Sequence, residues 1–158
     1  MAQVRPKEMR GQITPEGMAR MRARIGILAP RPKPFNTVAS EDSIRHYCYG
    51  YGEDNPLYTD PSYGSKTRWG SIIAPPAYMT TCGIVNAKPI PPEVRDKGRG
   101  ALSGVPNYLS GNSWEFYRPL HPGEVITRRF YISKVEEKET SFGGKSAVVH
   151  HKNEYINQ

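Results

Sequence analysis

The last third of the chain constrains its fold most. Three runs there, "NYLSGNSWEFYRPL", "GEVITRRFYISKVEEKE" and "KSAVVHHKNEYIN", are rich in β-branched and aromatic residues. The turn signals "LHPGE" and "TSFGGK" separate them, so they read as a meander of long antiparallel strands. In the middle run Ile126, Phe130 and Ile132 share one face and Arg129 and Tyr131 the other, as the two-residue period of a strand requires. "NEYINQ" stops inside or just beyond a strand. Either the sheet lacks a final strand or the chain is part of a longer polypeptide, and a missing strand leaves an edge that something must cover.

What precedes these strands is helical and heavily punctuated. In "TPEGMARMRARIG" Thr14 suits the cap, Pro15 the first helical position and Gly26 the exit. Met18, Met21 and Ile25 fall on one face, with Arg20, Arg22 and Arg24 mostly on another. "LAPRPKPFNT" is a proline-broken linker. Residues 1–36 are therefore expected to form an N-terminal helix and linker, and residues 37–158 the main domain. Ser40 caps the next helix, with Glu41 and Asp42 in its first turn, where the helix dipole favours negative charge. Ile44, Tyr47, Cys48 and Tyr51 form its apolar stripe, and Gly50 and Gly52 lie near its exit into "YGEDNPLYTD". "DPSYGSKTRWGS" reads as a short helix and turn. "IIAPPAYMTTCGIV" reads as a buried helix over residues 75–86, its apolar spacing carried by Tyr78, Met79, Cys82 and Val85. Residues 86–106 form a polar excursion, expected to be mobile or ordered by a partner. Helices first, then one buried helix, then strands: this order predicts an α+β fold with a sheet wrapped on a central helix.

Composition narrows the function classes. At 158 residues the chain is one domain's worth. No run of about 18 apolar residues exists, so no membrane span is expected. The N-terminus lacks the apolar core of a secretory signal, and Cys48 and Cys82 are too far apart and too unlike in context to suggest a disulfide framework. A reduced, cytoplasmic protein is the expectation. The net charge of +7 permits an anionic partner, either nucleic acid or a phosphate-bearing ligand. The bases are scattered, however, with no stripe of interleaved aromatics, so nucleic-acid binding is not expected. His46, His121, His150 and His151 stand apart from any motif, and no metal site is expected.

Three segments, "YGEDNPLYTD", "TRWGSIIAPPAYM" and "WEFYRPLHPGEVI", carry a family resemblance in their order and spacing. They resemble MaoC-like acyl dehydratases, and most of all the N-terminal, non-canonical dehydratase domain of those proteins, over about Thr14 to Gln158. The resemblance implies a hot-dog fold, an antiparallel sheet around the "APPAYMTTCGIV" helix. It implies pairing with another hot dog as a homodimer, heterodimer or tandem repeat. It also implies a substrate, an acyl thioester of coenzyme A or an acyl carrier, in fatty-acid or steroid lipid metabolism, with no further cofactor.

The implied chemistry adds or removes water across the 2,3-bond of an enoyl thioester. That needs a water held by a base, a proton for carbon, and donors for a developing enolate oxygen. Active members place Asp directly after a Gly, and His directly after Asn-Pro and an aliphatic residue. Here Glu53 stands at the Asp position and Tyr58 at the His position. A phenol with a pKa near 10 remains protonated at neutral pH and is a poor base. Active members also commonly have Gly near the start of the central helix; Pro76 stands there and has no N–H, leaving Ala77 as the next donor. The resemblance assigns Glu53, Asp54 and Tyr58 to a degenerate catalytic motif, and Asn55, Pro76, Ala77, Tyr78 and Arg118 to substrate binding. The expectation is the structural, catalytically degenerate half of an enoyl-thioester hydratase or dehydratase, paired with an active hot dog. One alternative is an active (R)-specific-type hydratase using Glu53 or Asp54 with Tyr58; another is a binding module for anionic ligands.

Overall fold

The computed structural model of the chain describes residues 11–29, 33–85, 90–141 and 143–157. They form two compact units that interleave along the sequence, one from 11–29, 90–112 and 130–153, the other from 33–85, 113–129 and 154–157.

In the first unit, α1 (Pro15–Arg22) begins as its sequence dictates. The Thr14 hydroxyl oxygen accepts from the Gly17 N–H at 3.1 Å, and Pro15 takes the first position. Met18 and Met21 turn inward against Ala101, Ile132 and Val135. Burying each methionine is worth about 1.5–3 kcal/mol. Ile25, expected on the same helix face, lies past the helix end and bridges to Ile132 as extended backbone. Of the polar excursion, residues 86–89 lie outside the described residues; residues 90–106 are more ordered than their composition suggests. They carry α5 (Pro92–Gly98), which touches α1, and they bury Ala101.

Among the described residues two strands make the sheet: β1 (Ile126–Thr140) and β2 (Gly144–Asn157), an antiparallel pair. Ile126 and Ile132 are buried as the alternation requires, but Val135 is buried too, so the parity changes between 132 and 135. The first expected strand is not formed. Residues 107–120 belong to no strand and bend at Tyr117 and Arg118, and Tyr108 and Tyr117 are more than four-fifths exposed. A strand is defined by the neighbour that pairs with its N–H and C=O groups, which propensity alone does not supply.

The second unit is built on α2 (Glu41–Tyr51). Ser40 and Ser43 cap it reciprocally, each side-chain oxygen accepting from the other's backbone N–H at 3.1 Å. Gly52 ends it in the left-handed conformation at φ 80°, where a side chain would be strained. Ile44 and Cys48 pack into a core with Ala39, Ile72, Ala74, Tyr78, Cys82, Leu120 and Ile126. The central helix lies where expected but is shorter and tighter than residues 75–86 would give: a 3-10 helix over Pro76–Thr81. Two features explain this. The Thr80 and Thr81 hydroxyls donate to the carbonyls three residues back, each at 2.8 Å, which competes with α-helical continuation. Beyond them Cys82 and Ile84 are drawn into bridges with Asn36 and Thr127.

Candidate active site

The acidic loop is shaped by local capping. From the α2 exit, Glu53 Oε1 accepts from the Asn55 N–H at 3.0 Å, and Asn55 Oδ1 accepts from the Leu57 N–H at 3.0 Å. Asn55 thereby caps α3 (Pro56–Thr59), with Pro56 at the first position. Asp60 does the same for α4 (Pro61–Gly64), accepting from the Ser62 N–H at 2.8 Å. Gly64, at the end of α4, lies against the backbone of Ser71 and Ile72 with no room for a Cβ. The Ile73 N–H, next in the chain, donates to the Leu57 carbonyl of α3 at 3.2 Å.

Between these parts lies a cavity of about 260 Å³. Its wall includes Tyr58 from α3, Trp69, Ile73, Met79 of the 3-10 helix, and Phe116, Tyr117, Arg118 and Leu120 from the segment before β1. Pro75 and Pro76 also line it. Of the residues predicted from sequence, the structure brings Tyr58, Pro76 and Arg118 to this one cavity. Glu53, Asp54, Asn55, Ala77 and Tyr78 are outside its wall. Asp54 and Ala77 are exposed to solvent. Tyr78 is fully buried, its hydroxyl 2.5 Å from Ser43 Oγ and its ring edge-on to Tyr47. Trp69 and Phe116 are cavity residues that the sequence reading did not assign as such. Their signal was their position inside two of the segments carrying the resemblance.

Electrostatics divide the site. Burial first, then the Glu53 carboxylate and Cys48, push the Tyr58 phenol up from its ordinary value. Tyr58 is therefore a neutral hydroxyl at physiological pH, able to donate a proton or hydrogen bond but not to act as a base. Arg118 is paired with Glu124. Burial alone would raise the Glu124 carboxyl; the His121 backbone N–H at 2.8 Å, the Asn157 amide at 3.1 Å and Arg118 outweigh it and hold the carboxyl low. His121 places Nδ1 2.9 Å from Ser71 Oγ, and His150 meets Glu136 at 2.7 Å; neither histidine lines the cavity. Among the described residues no cluster of three or more His, Cys, Asp or Glu could hold a metal ion. No described helix is long and apolar enough to cross a membrane.

The α+β fold is a hot-dog fold, similar to that of the MaoC-like dehydratase from Rhodospirillum rubrum. The TM-score is 0.51 at 12% identity, over 84% of this chain and 79% of that one. The chain belongs to the FAS1-like, dehydratase domain region family, which it matches over residues 29–158. It is 26% identical over 133 residues to a probable enoyl-CoA hydratase alpha subunit of Thermomonospora curvata, covering 78% of this chain and 42% of that protein. It is also 23% identical over 124 residues to a UPF0336 protein of Streptomyces avermitilis, covering 78% of this chain and 76% of that one. The chain thus spans less than half the length of the Thermomonospora relative.

Proposed function

We propose that this domain binds the acyl part of an enoyl thioester, carried on coenzyme A or an acyl carrier, as the non-catalytic half of a hydratase or dehydratase. One observation carries the reading. The cavity wall presents the Tyr58 phenol, with its pKa raised, at the position where the resemblance implies His in active members, and among the described residues no carboxylate lines the wall beside it. The Glu53 carboxylate is engaged by the Asn55 N–H instead. A water in this cavity would meet a donor but no base, so the domain can bind and orient an acyl group without activating water. The chemistry then falls to a paired hot dog with an intact Asp and His. The description of the Thermomonospora relative as an alpha subunit favours such a pairing. Free, buried Cys48 and Cys82 suit a reducing cytoplasmic setting.

A second reading keeps the chemistry here, with Tyr58 as the proton donor and Glu53 or Asp54 as the base. The presence of the Tyr58 ring on the cavity wall favours it. Steady-state assays of the purified chain on crotonyl-CoA and longer enoyl-CoA separate the two. The first reading expects no turnover above the uncatalysed rate, together with measurable substrate binding. Turnover that disappears in Tyr58→Phe would overturn it and establish the second.

A further inference from the structure

The cavity wall is chemically one-sided. Tyr58, Trp69, Phe116 and Tyr117 supply aromatic faces, and Pro75 and Pro76 supply rigid flat ones. Ile73, Met79 and Leu120 add aliphatic side chains, fewer than the aromatic rings. Two of the aromatic faces, those of Trp69 and Phe116, are also braced. The Arg68 guanidinium lies 4.2 Å from the centre of the Trp69 ring, covering part of the indole. Phe116 is stacked on Trp114 with the rings 4° from parallel and 5.9 Å apart. Rings held in this way offer fixed faces, where a wall of leucines and methionines would adapt its shape to a chain.

Size sets a second limit. A cavity of about 150 Å³ lined by apolar side chains accommodates one benzene ring. At about 260 Å³ this one has room for a ring and a short unsaturated linker, or for two fused rings. A straight chain of the same carbon number would also fit by volume. It would have to freeze several freely rotating bonds, and it has no faces to stack. A ring loses no internal rotations and gains offset or edge contacts with the aromatic wall.

We infer that the cavity selects a ring-bearing enoyl thioester, an aryl or cyclic acyl group, over a straight-chain acyl group of equal carbon count. The inference rests on the acyl-thioester reading for the identity of the ligand's head, and on the wall alone for the shape of its tail. Calorimetric titration of the purified chain with the pantetheine thioesters of cinnamic acid and of 2-nonenoic acid compares two tails of equal carbon number. A parallel pair, cinnamyl alcohol and 2-nonen-1-ol, carries the same tails without a thioester.

The ring-bearing member of each pair should bind about tenfold more tightly, the factor that two aromatic contacts of ordinary strength supply. Trp69→Leu should cut that ratio to about threefold, and the double variant with Phe116→Leu should bring it close to one. Phe116→Leu, at a half-exposed position where folding is not at risk, should reduce it several-fold. Ring preference among the alcohols with no binding of either thioester would refute the acyl-thioester reading and leave the shape preference standing. Equal or tighter binding of the nonenyl members, or no binding in either pair, would overturn the inference.

Discussion

The Tyr78 hydroxyl gives a test of the core with a sign that changes across an accessible pH range. Tyr78 is fully buried, and burial first, against the opposing hydrogen bond from Ser43, pushes its phenol up to about 12. In the unfolded chain the same group titrates near 10. Between about pH 10 and 12 the unfolded state has released a proton that the folded state still holds, so stability falls as pH rises through that window. The loss attributable to Tyr78 is about 1 kcal/mol by pH 11 and roughly 3 kcal/mol when complete. Tyr78→Phe keeps the ring and removes the hydroxyl. The Ser43 hydroxyl keeps partners in Ser40, so no buried polar group is orphaned. The cost near neutrality is one net hydrogen bond, about 1 kcal/mol. The variant lacks the alkaline loss, so the two stability curves should converge and meet near pH 11. Tyr51 and Tyr58, also raised, titrate in both proteins and cancel in the difference. Urea unfolding followed by circular dichroism, with midpoints taken from pH 7 to 11, measures that difference directly. A gap that stays constant or widens up to pH 11 would refute the reasoning.

Three further substitutions test the supports of the site. Gly64→Ala places a methyl 2.6 Å from the Ser71 carbonyl carbon, and should cost about 1–3 kcal/mol in urea unfolding while weakening acyl binding; a stable variant with unchanged binding would contradict the close approach. Glu124→Gln removes a carboxylate held below its usual range, so wild type should be the more stable by about 1–2 kcal/mol above pH 5. That advantage should vanish as pH falls through the folded pKa, and an advantage surviving in strong acid would argue against the Arg118, His121 and Asn157 contacts as its source. Ser40→Ala removes one half of the reciprocal cap on α2 and should lower stability by about 1 kcal/mol, read as a shift in unfolding midpoint; no shift would mean that the cap is not limiting.

What the sequence disclosed was mostly local. Thr14, Ser40 and Gly52 act through groups within four residues of themselves, so their roles at the ends of α1 and α2 could be read directly. α5 had the same kind of signal, Pro92 followed by Glu93, but lies in a stretch so rich in Pro and Gly that composition masked it. Residues 107–120 failed differently. Their aromatic content is right for a strand, yet strand formation depends on a neighbour that no local pattern specifies. The central helix was legible in position but not in type, because the Thr80 and Thr81 hydroxyls and the bridging of Cys82 and Ile84 shortened it. At the site, Tyr58, Pro76 and Arg118 came from motif positions, whereas Trp69 and Phe116 needed the folding of separate segments onto one cavity.

The loop from Gly52 to Asp60 owes its form to local contacts that do not depend on catalytic chemistry. Its shape follows from the left-handed Gly52, the Glu53 and Asn55 side chains accepting from backbone N–H groups, and prolines at the first positions of α3 and α4. None of these contacts requires a base at position 53 or an imidazole at position 58. Tyr58 emerges from α3 at a fixed point because Asn55 and Pro56 start that helix, whichever side chain occupies the position. Substitution there can exchange a proton-transfer group for an aromatic face while the backbone stays in place. On the acyl-binding reading proposed above, the geometry that would carry an imidazole to a water carries a phenol ring to the cavity wall, a position suited to recognition.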